Sequence, residues 1–196
     1  MLKFLLHTCC APCGIAVIDE LKSQYDLTVF FYNPNIYPEE EYLKRKKYVI
    51  QICQEWRIPM IDMDYEVDKW NEVVRGLENE PEGGARCLKC FGLRLERTAR
   101  YAKENNFDIF CTTLTSGRNK KAEVINPIGL ELGVKYGVKF FATDWKKAGR
   151  QQKARKMVEE RGIYRQNYCG CKFSFATSVE TPSSPPPTRG RDLKNN

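Results

Sequence analysis

Short apolar, β-branched or aromatic runs alternate with helix-period stretches along most of this chain, and no other feature restricts its fold as strongly. The runs Lys3–Thr8, Leu27–Tyr32, Pro59–Asp62, Phe107–Leu114 and Val138–Ala142 predict strands. Pro12–Tyr25, Glu39–Trp56, Val67–Arg75, Leu88–Asn105, Ala122–Tyr136 and Lys146–Arg161 predict helices. A strand that returns to its own sheet through a helix returns parallel, and the helices then cover both faces. The expectation is one α/β domain over residues 1–175 with a mainly parallel, Rossmann-like sheet. With 42% hydrophobic residues such a length buries a real core.

From Ala176 the character changes. The stretch Thr181-Pro182-Ser183-Ser184-Pro185-Pro186-Pro187 leads into Arg189, Arg191 and Lys194 with almost nothing apolar to bury. A segment of this kind does not offset its ordering entropy, so residues 176–196 are expected to be a disordered, Pro/Ser-rich basic tail.

In parallel sheets function gathers at the carboxyl ends of the strands, where the strand order reverses. Those ends are Cys9-Cys10, Asn33-Pro34-Asn35, Asp62 to Asp64, Thr112-Thr113 and Thr143-Asp144. Seven of the nine cysteines fall in three tight clusters: Cys9-Cys10 with Cys13, Cys87 with Cys90, and Cys169 with Cys171. Such spacings let one backbone segment present two sulfurs to a metal or to each other. Cys53 and Cys111 sit among apolar neighbours and read as small buried hydrophobes. Pro12 suits the first turn of a helix, where amides favour bound negative charge, thiolates included.

On the helix that begins near Leu88, a period of about 100° per residue places Leu88, Phe91, Leu95, Ala99 and Ala102 on one apolar face. Arg86, Lys89, Arg97, Arg100 and Cys90 fall opposite, with Cys87 at the border. A second basic stretch carries Lys146, Lys147, Arg150, Lys153, Arg155 and Lys156. Either stripe is a candidate for phosphate contacts, and the plain alternative is a solvated helix face. The net charge is +7.

Thiolates from Cys9, Cys10, Cys87 and Cys90 suit zinc or an iron–sulfur cluster. Adjacent cysteines fit poorly around one tetrahedral zinc and better around a larger cluster, which is the favoured reading; structural zinc stays the alternative. Cys169-Gly170-Cys171 is a candidate dithiol/disulfide couple, since glycine permits the tight turn. His7, the sole histidine, reads as a hydrogen-bonded residue ending the first strand. No H-E-x-x-H or glycine-rich phosphate loop is present, and one histidine gives no clear Ser-His-Asp set.

The ordered set His7-Thr8-Cys9-Cys10-Ala11-Pro12-Cys13, Phe31-Tyr32-Asn33-Pro34-Asn35-Ile36, Arg86-Cys87-x-x-Cys90 and Tyr164-Arg165-Gln166-x-Tyr168-Cys169-Gly170-Cys171 resembles the QueH family of epoxyqueuosine reductases. The resemblance runs from about Leu5 to Ser174. It implies a [4Fe–4S] oxidoreductase that reduces epoxyqueuosine to queuosine in the tRNA anticodon, the last step of queuosine synthesis. By position it implies Cys9, Cys10, Cys87 and Cys90 as cluster ligands and Cys169 with Cys171 as a redox-active pair. It also implies a possible mononuclear iron, with Cys13, Asp144 and the Cys169/Cys171 thiols as candidate ligands. Where the family tends to continue Ser-Pro-Tyr-Lys-like after Thr112-Thr113-Leu114, this chain reads Thr115-Ser116-Gly117-Arg118-Asn119-Lys120. The implied partners are tRNA carrying epoxyqueuosine and an unidentified electron donor. Tyr32, Tyr37 and Tyr168 are candidates to stack on the unstacked base.

Two other functions compete. An ATP-using tRNA thiolase would need a Ser-Gly-Gly-x-Asp-Ser-like loop where this chain has Cys9-Cys10-Ala11-Pro12-Cys13. A zinc-stabilised RNA-binding module would leave Cys169 and Cys171 without a use. No apolar run is long enough for a membrane span, and Leu2 to Leu6 lacks a basic leader. Nine cysteines without an export signal point to a reducing cytoplasm.

Overall fold

A computed structural model describes residues 1–175. The tail expected from Ala176 onward lies outside the described residues. Five parallel strands form one sheet in the order β3-β2-β1-β4-β5. They are β1 (Lys3–His7), β2 (Asp26–Phe31), β3 (Met60–Asp62), β4 (Ile109–Thr112) and β5 (Lys139–Phe140). Between and after them run α1 (Ala11–Leu21), α2 (Glu39–Glu55), α3 (Val67–Val73), α4 (Ala85–Glu104), α5 (Ala122–Tyr136) and α6 (Arg150–Glu160). A 3-10 turn, Thr113–Ser116, follows β4. The α/β expectation holds: the sheet is wholly parallel, and β1 lies between β2 and β4 in the middle.

The alternation of side chains along a strand sorts the core into two layers. Phe4 and Leu6 of β1 with Val29 and Phe31 of β2 pack against Ile15, Ile18 and Val158 of α1 and α6. Leu5, Phe30 and Phe110 point the other way, into Phe91, Leu95 and Ile125 of α4 and α5. Both strand faces are therefore apolar, as a doubly covered parallel sheet requires. Cys53 and Cys111 are buried in the first of these layers, as their apolar neighbours indicated. Among the described residues no helix is long and apolar enough to cross a membrane.

Two helix starts differ from the sequence pattern, for local reasons. The helix expected from Lys146 begins at Arg150, because Ala148 and Gly149 take φ of 57° and 73°, which a right-handed helix does not accommodate. The helix expected from Leu88 begins at Ala85, where Gly84 caps it and Glu80 accepts the Ala85 N–H at 2.9 Å. That earlier start draws Arg86 and Cys87 into the first turn.

Candidate functional site

In the order β3-β2-β1-β4-β5 the direction of strand addition reverses between β1 and β4, and a crevice opens beyond their carboxyl ends. The Cys9 N–H donates to Thr113 Oγ1 at 3.4 Å, so the segment after β1 meets the turn after β4. Within it Cys9, Cys10 and Cys13 bring their sulfurs to within 4.8 Å of one another. Three thiols so close are a ready site for a metal. Cys9 Sγ lies 3.8 Å from Cys10 Sγ. Hydrogen bonds from Cys10 and then Cys13, aided by the charges of Lys120 and Arg94, hold the Cys9 pKa well below the ordinary thiol value despite burial. A hydrogen bond with Cys13 lowers Cys10, but its donation to Cys9 and its burial outweigh that and push it up to about 12. Cys13, donor to Cys10 and Cys9, also rises. Of the three thiols, Cys9 is therefore the one whose ionised form is favoured.

Cys87 and Cys90 approach from the first turn of α4. Cys87 packs in the same apolar layer as Cys9 and Cys10, and Gly83 N–H donates to its sulfur at 3.2 Å. Cys90 packs with Trp70, Val74 and Cys171. This corrects the expected face of α4: Cys90 is 7% exposed and Leu88 42% exposed. Arg86 is equally buried, its guanidinium donating to the carbonyls of Leu77 and Glu78 at 3.1 and 2.8 Å over the Phe173 ring. The basic stripe on α4 therefore keeps only Lys89, Arg97 and Arg100, and Arg100 pairs with Glu104 at 3.8 Å. α3 and the C-terminal segment cover the face that helical periodicity left to solvent.

That segment crosses the top of the sheet. Gln166 Nε2 donates to Cys10 Sγ at 2.9 Å, and Tyr37 N–H donates to the Gly170 carbonyl at 2.7 Å. Arg45 Nη1 donates to the Cys169 carbonyl at 3.0 Å. Cys169 and Cys171 are free thiols, like the other seven cysteines. Cys171 Sγ lies 3.5 Å from Ser174 Oγ. Asp144 stands outside the thiol triad; its Oδ1 accepts the Lys146 N–H at 3.1 Å.

Three buried cations surround these sulfurs, and sequence inspection passed over all of them. Arg94 is 2% exposed and its charge reaches Cys90, Cys9, Cys169 and Cys87. Its Nη1 donates to Asn33 Oδ1 at 3.4 Å, whereas Nη2 has no partner. Lys120 is buried, has no ion-pair partner among the described residues and faces Cys169, Cys9 and Cys13. Arg45 reaches toward Cys10 and Cys9 and is pinned by Glu41 at 2.6 Å. One signal for Arg94 was legible: it lies four residues after Cys90 and seven after Cys87, the spacing of one helix face. Buried cations with an unpaired donor call for negative charge. The buried Trp70 indole N–H stands near Cys90. Thiolates around an anionic metal–sulfur group would supply both the charge and the acceptors, so the residues fit such a group.

Of the expected base-stacking residues, Tyr32 is unavailable. It is fully buried, and its hydroxyl donates to Glu66 at 2.7 Å. Tyr37 is exposed and Tyr168 half-buried, each edge-on to Phe175. His7 is a structural residue, as its position indicated. Its ring nitrogens meet Thr112 Oγ1 at 2.8 Å and the Tyr32 carbonyl at 3.1 Å, and burial followed by the Arg94 charge lowers its pKa to about 4, so it is neutral.

A parallel α/β protein with a cysteine-lined crevice at the strand reversal is the class defined by this geometry. Within that class the chain belongs to the QueH family: the family model described as epoxyqueuosine reductase QueH matches residues 4–177. Epoxyqueuosine reductase QueH of Acinetobacter baylyi is 43% identical over 175 residues, 88% of this chain and 80% of that protein. The Thermotoga maritima protein of the same name is 39% identical over 174 residues, 87% of this chain and 89% of its own. Among solved structures, the U34-tRNA thiolase NcsA from Methanococcus maripaludis with its [4Fe-4S] cluster superimposes with a TM-score of 0.54 at 14% identity. The match covers 91% of this chain and 65% of that one, a likeness of fold alone.

Proposed function

We propose that this chain reduces epoxyqueuosine to queuosine in the anticodon of tRNA, in the cytoplasm, with electrons from a separate donor. The observation that carries the reading is the convergence of Cys9, Cys10, Cys13, Cys87, Cys90 and Cys169 on Arg94 and Lys120 at the sheet's reversal point. Membership of a family whose relatives bear this enzyme name supports it. The reaction removes the epoxide oxygen as water while the two carbons regain a double bond, and so consumes two electrons and two protons. Cys9, Cys10, Cys87 and Cys90 would hold a [4Fe–4S] cluster, which when bound supplies electrons one at a time. Cys169 and Cys171 would form the two-electron couple: closing their disulfide releases two electrons and two protons, which the donor later restores. Cys13, the third sulfur of the triad, is the nearer candidate for a lone iron, with Asp144 further out.

In this reading Lys120 and Arg94 would offset the charge of metal-bound thiolates and the charge that arrives with each electron. The phosphate loop of an ATP-using thiolase has no counterpart here, since Cys9-Cys10-Ala11-Pro12-Cys13 fills the turn after β1. The decisive experiment is the nucleoside content of tRNA from cells lacking this gene. Epoxyqueuosine should accumulate and queuosine return when the gene is restored. Normal queuosine in the deletion strain, without another reductase, would overturn the proposal.

A further inference from the structure

Beside the thiol triad, on the α1/α6 side of the sheet, lies a cleft of about 440 Å³ that the cysteine chemistry does not use. That volume falls within the roughly 300–1,000 Å³ of small-ligand sites. Cys13 forms part of its wall, so one sulfur-bearing residue of the triad borders the cleft. Five cationic side chains line it, Arg118, Lys146, Arg150, Arg155 and Arg165, and no carboxylate does. The cations differ in how firmly they are held. Arg150 is clamped to Glu20 at 2.7 and 2.9 Å, Arg155 pairs with Glu159 at 2.8 Å, and Lys146 Nζ donates to the Lys120 carbonyl at 2.7 Å. Arg118 and Arg165 are exposed and have neither ion pair nor hydrogen bond from their side chains among the described residues.

The cleft has a second attribute of an anion site. The first residues of α6, Arg150 to Gln152, line it, and the opening amides of a helix have no acceptors within the helix. Its other rim carries Ser116, whose hydroxyl donates to the Cys13 carbonyl at 3.1 Å, and Arg118. Both rim residues belong to the Thr115–Lys120 stretch that departs from the family's pattern. A cation-rich, concave recess sized for one small ligand, with one sulfur of the triad in its wall, suits the sugar–phosphate of an unpaired RNA strand. A protein partner would need a broader, flatter face.

We infer that this cleft seats the backbone phosphates of the anticodon strand next to the nucleoside being reduced, with the unpaired Arg118 and Arg165 as the two phosphate clamps. The inference rests on the proposed activity on tRNA and adds the place where the RNA lies. It also distinguishes the two basic stretches: the cleft at the start of α6 binds phosphate, and the remaining cations of α4, on the opposite face, are a solvated surface.

The test uses the full chain loaded with its cluster without oxygen, and tRNA carrying epoxyqueuosine. In Arg118→Glu/Arg165→Glu the affinity should fall at least tenfold and KM rise alike, with kcat and the visible spectrum unchanged. In Arg118→Gln/Arg165→Gln the plot of log affinity against log salt should flatten by about 1.4–1.8, the loss of two phosphate contacts. Arg97→Glu/Arg100→Glu on α4 should bind as the unaltered protein does. Unchanged affinity in the cleft variants, or an equal loss in the α4 variant, would overturn the inference. So would intact tRNA binding joined to slower reduction of the cluster by a small acidic electron-transfer protein, which would give the cleft to the donor. An unaltered protein that neither binds nor reduces the tRNA would instead remove the functional reading itself.

Discussion

Gln166 donates its side-chain amide to the sulfur of Cys10 at 2.9 Å, joining the segment that follows the last helix of the sheet domain to the turn after its first strand. Through this bond the segment bearing Cys169 and Cys171 is laid over the residues that follow β1. Replacing Gln166 by Leu should remove about 1 kcal/mol, the net worth of a typical hydrogen bond. Amide exchange should quicken over residues 164–171 and leave the strands untouched. Unaltered exchange there would show that the bond does not hold the segment.

Gly170 offers a sharper test of the same segment. Its φ is +124°, and a Cβ on it would stand 2.8 Å from Arg45 Nη1, the atom that donates to the Cys169 carbonyl. Gly170→Ala should cost about 1–3 kcal/mol, the range for a residue held in a glycine-only conformation. Reduction of epoxyqueuosine should fall with it while the cluster's colour stays. A denaturation midpoint equal to that of the unaltered protein would contradict this.

Arg94 is the buried cation that most of the sulfurs share. In Arg94→Leu the added electron loses an attractive charge, so the cluster's midpoint potential should become more negative. Roughly 40–90 mV is expected, as 1–2 kcal/mol of lost attraction gives a one-electron couple. A redox titration followed by electron paramagnetic resonance reads it. An unchanged potential would assign Arg94 to packing alone.

The cysteines should separate by role. Cys87→Ala or Cys90→Ala should bleach the protein and lower iron and sulfide together, because a cluster corner loses its thiolate. Cys169→Ser should keep the colour and lose turnover, and alkylation should find Cys169 and Cys171 joined in oxidised enzyme and free after reduction. Cys111→Ala, remote in the core, should cost about 1 kcal/mol and change neither. Full iron content in Cys87→Ala would remove that residue from the ligand set.

The joint between α1 and α6 should respond to acid. Hydrogen bonds from Arg150 hold Glu20 below its ordinary pKa; for Asp19 burial opposes, but Lys153 and Lys22 prevail and lower it. A carboxylate depressed in the folded state adds stability above its unfolded pKa, near 4, and loses it as pH falls through the lower folded value. The urea midpoint should therefore decline below about pH 4.5, less steeply in Glu20→Gln. At pH 7 that variant should lose no more than about 1 kcal/mol, since the pair is partly exposed. Equal acid sensitivity in both proteins would show that the pair does not contribute.

Sequence by itself determined the sheet, because the three central strands are apolar runs buried on both faces and every strand is followed by a helical period. Phe4, Leu5 and Leu6 could belong to nothing else. It also placed Cys9 and Cys10 at the functional edge, since a strand end in a parallel sheet is fixed by connectivity alone, and the residue set from His7 to Cys171 already resembled the family. Tertiary structure decided which polar residues go inside. Periodicity within α4 put Cys90 and Arg86 toward solvent, and it carries no information about α3 and the C-terminal segment that close over that face. Arg45, Arg94 and Lys120 look like surface charges in a linear reading, because a cation is placed inside only where sulfurs from distant segments meet it. Those segments, after β1, at the start of α4 and near residue 169, come together only when the sheet is complete.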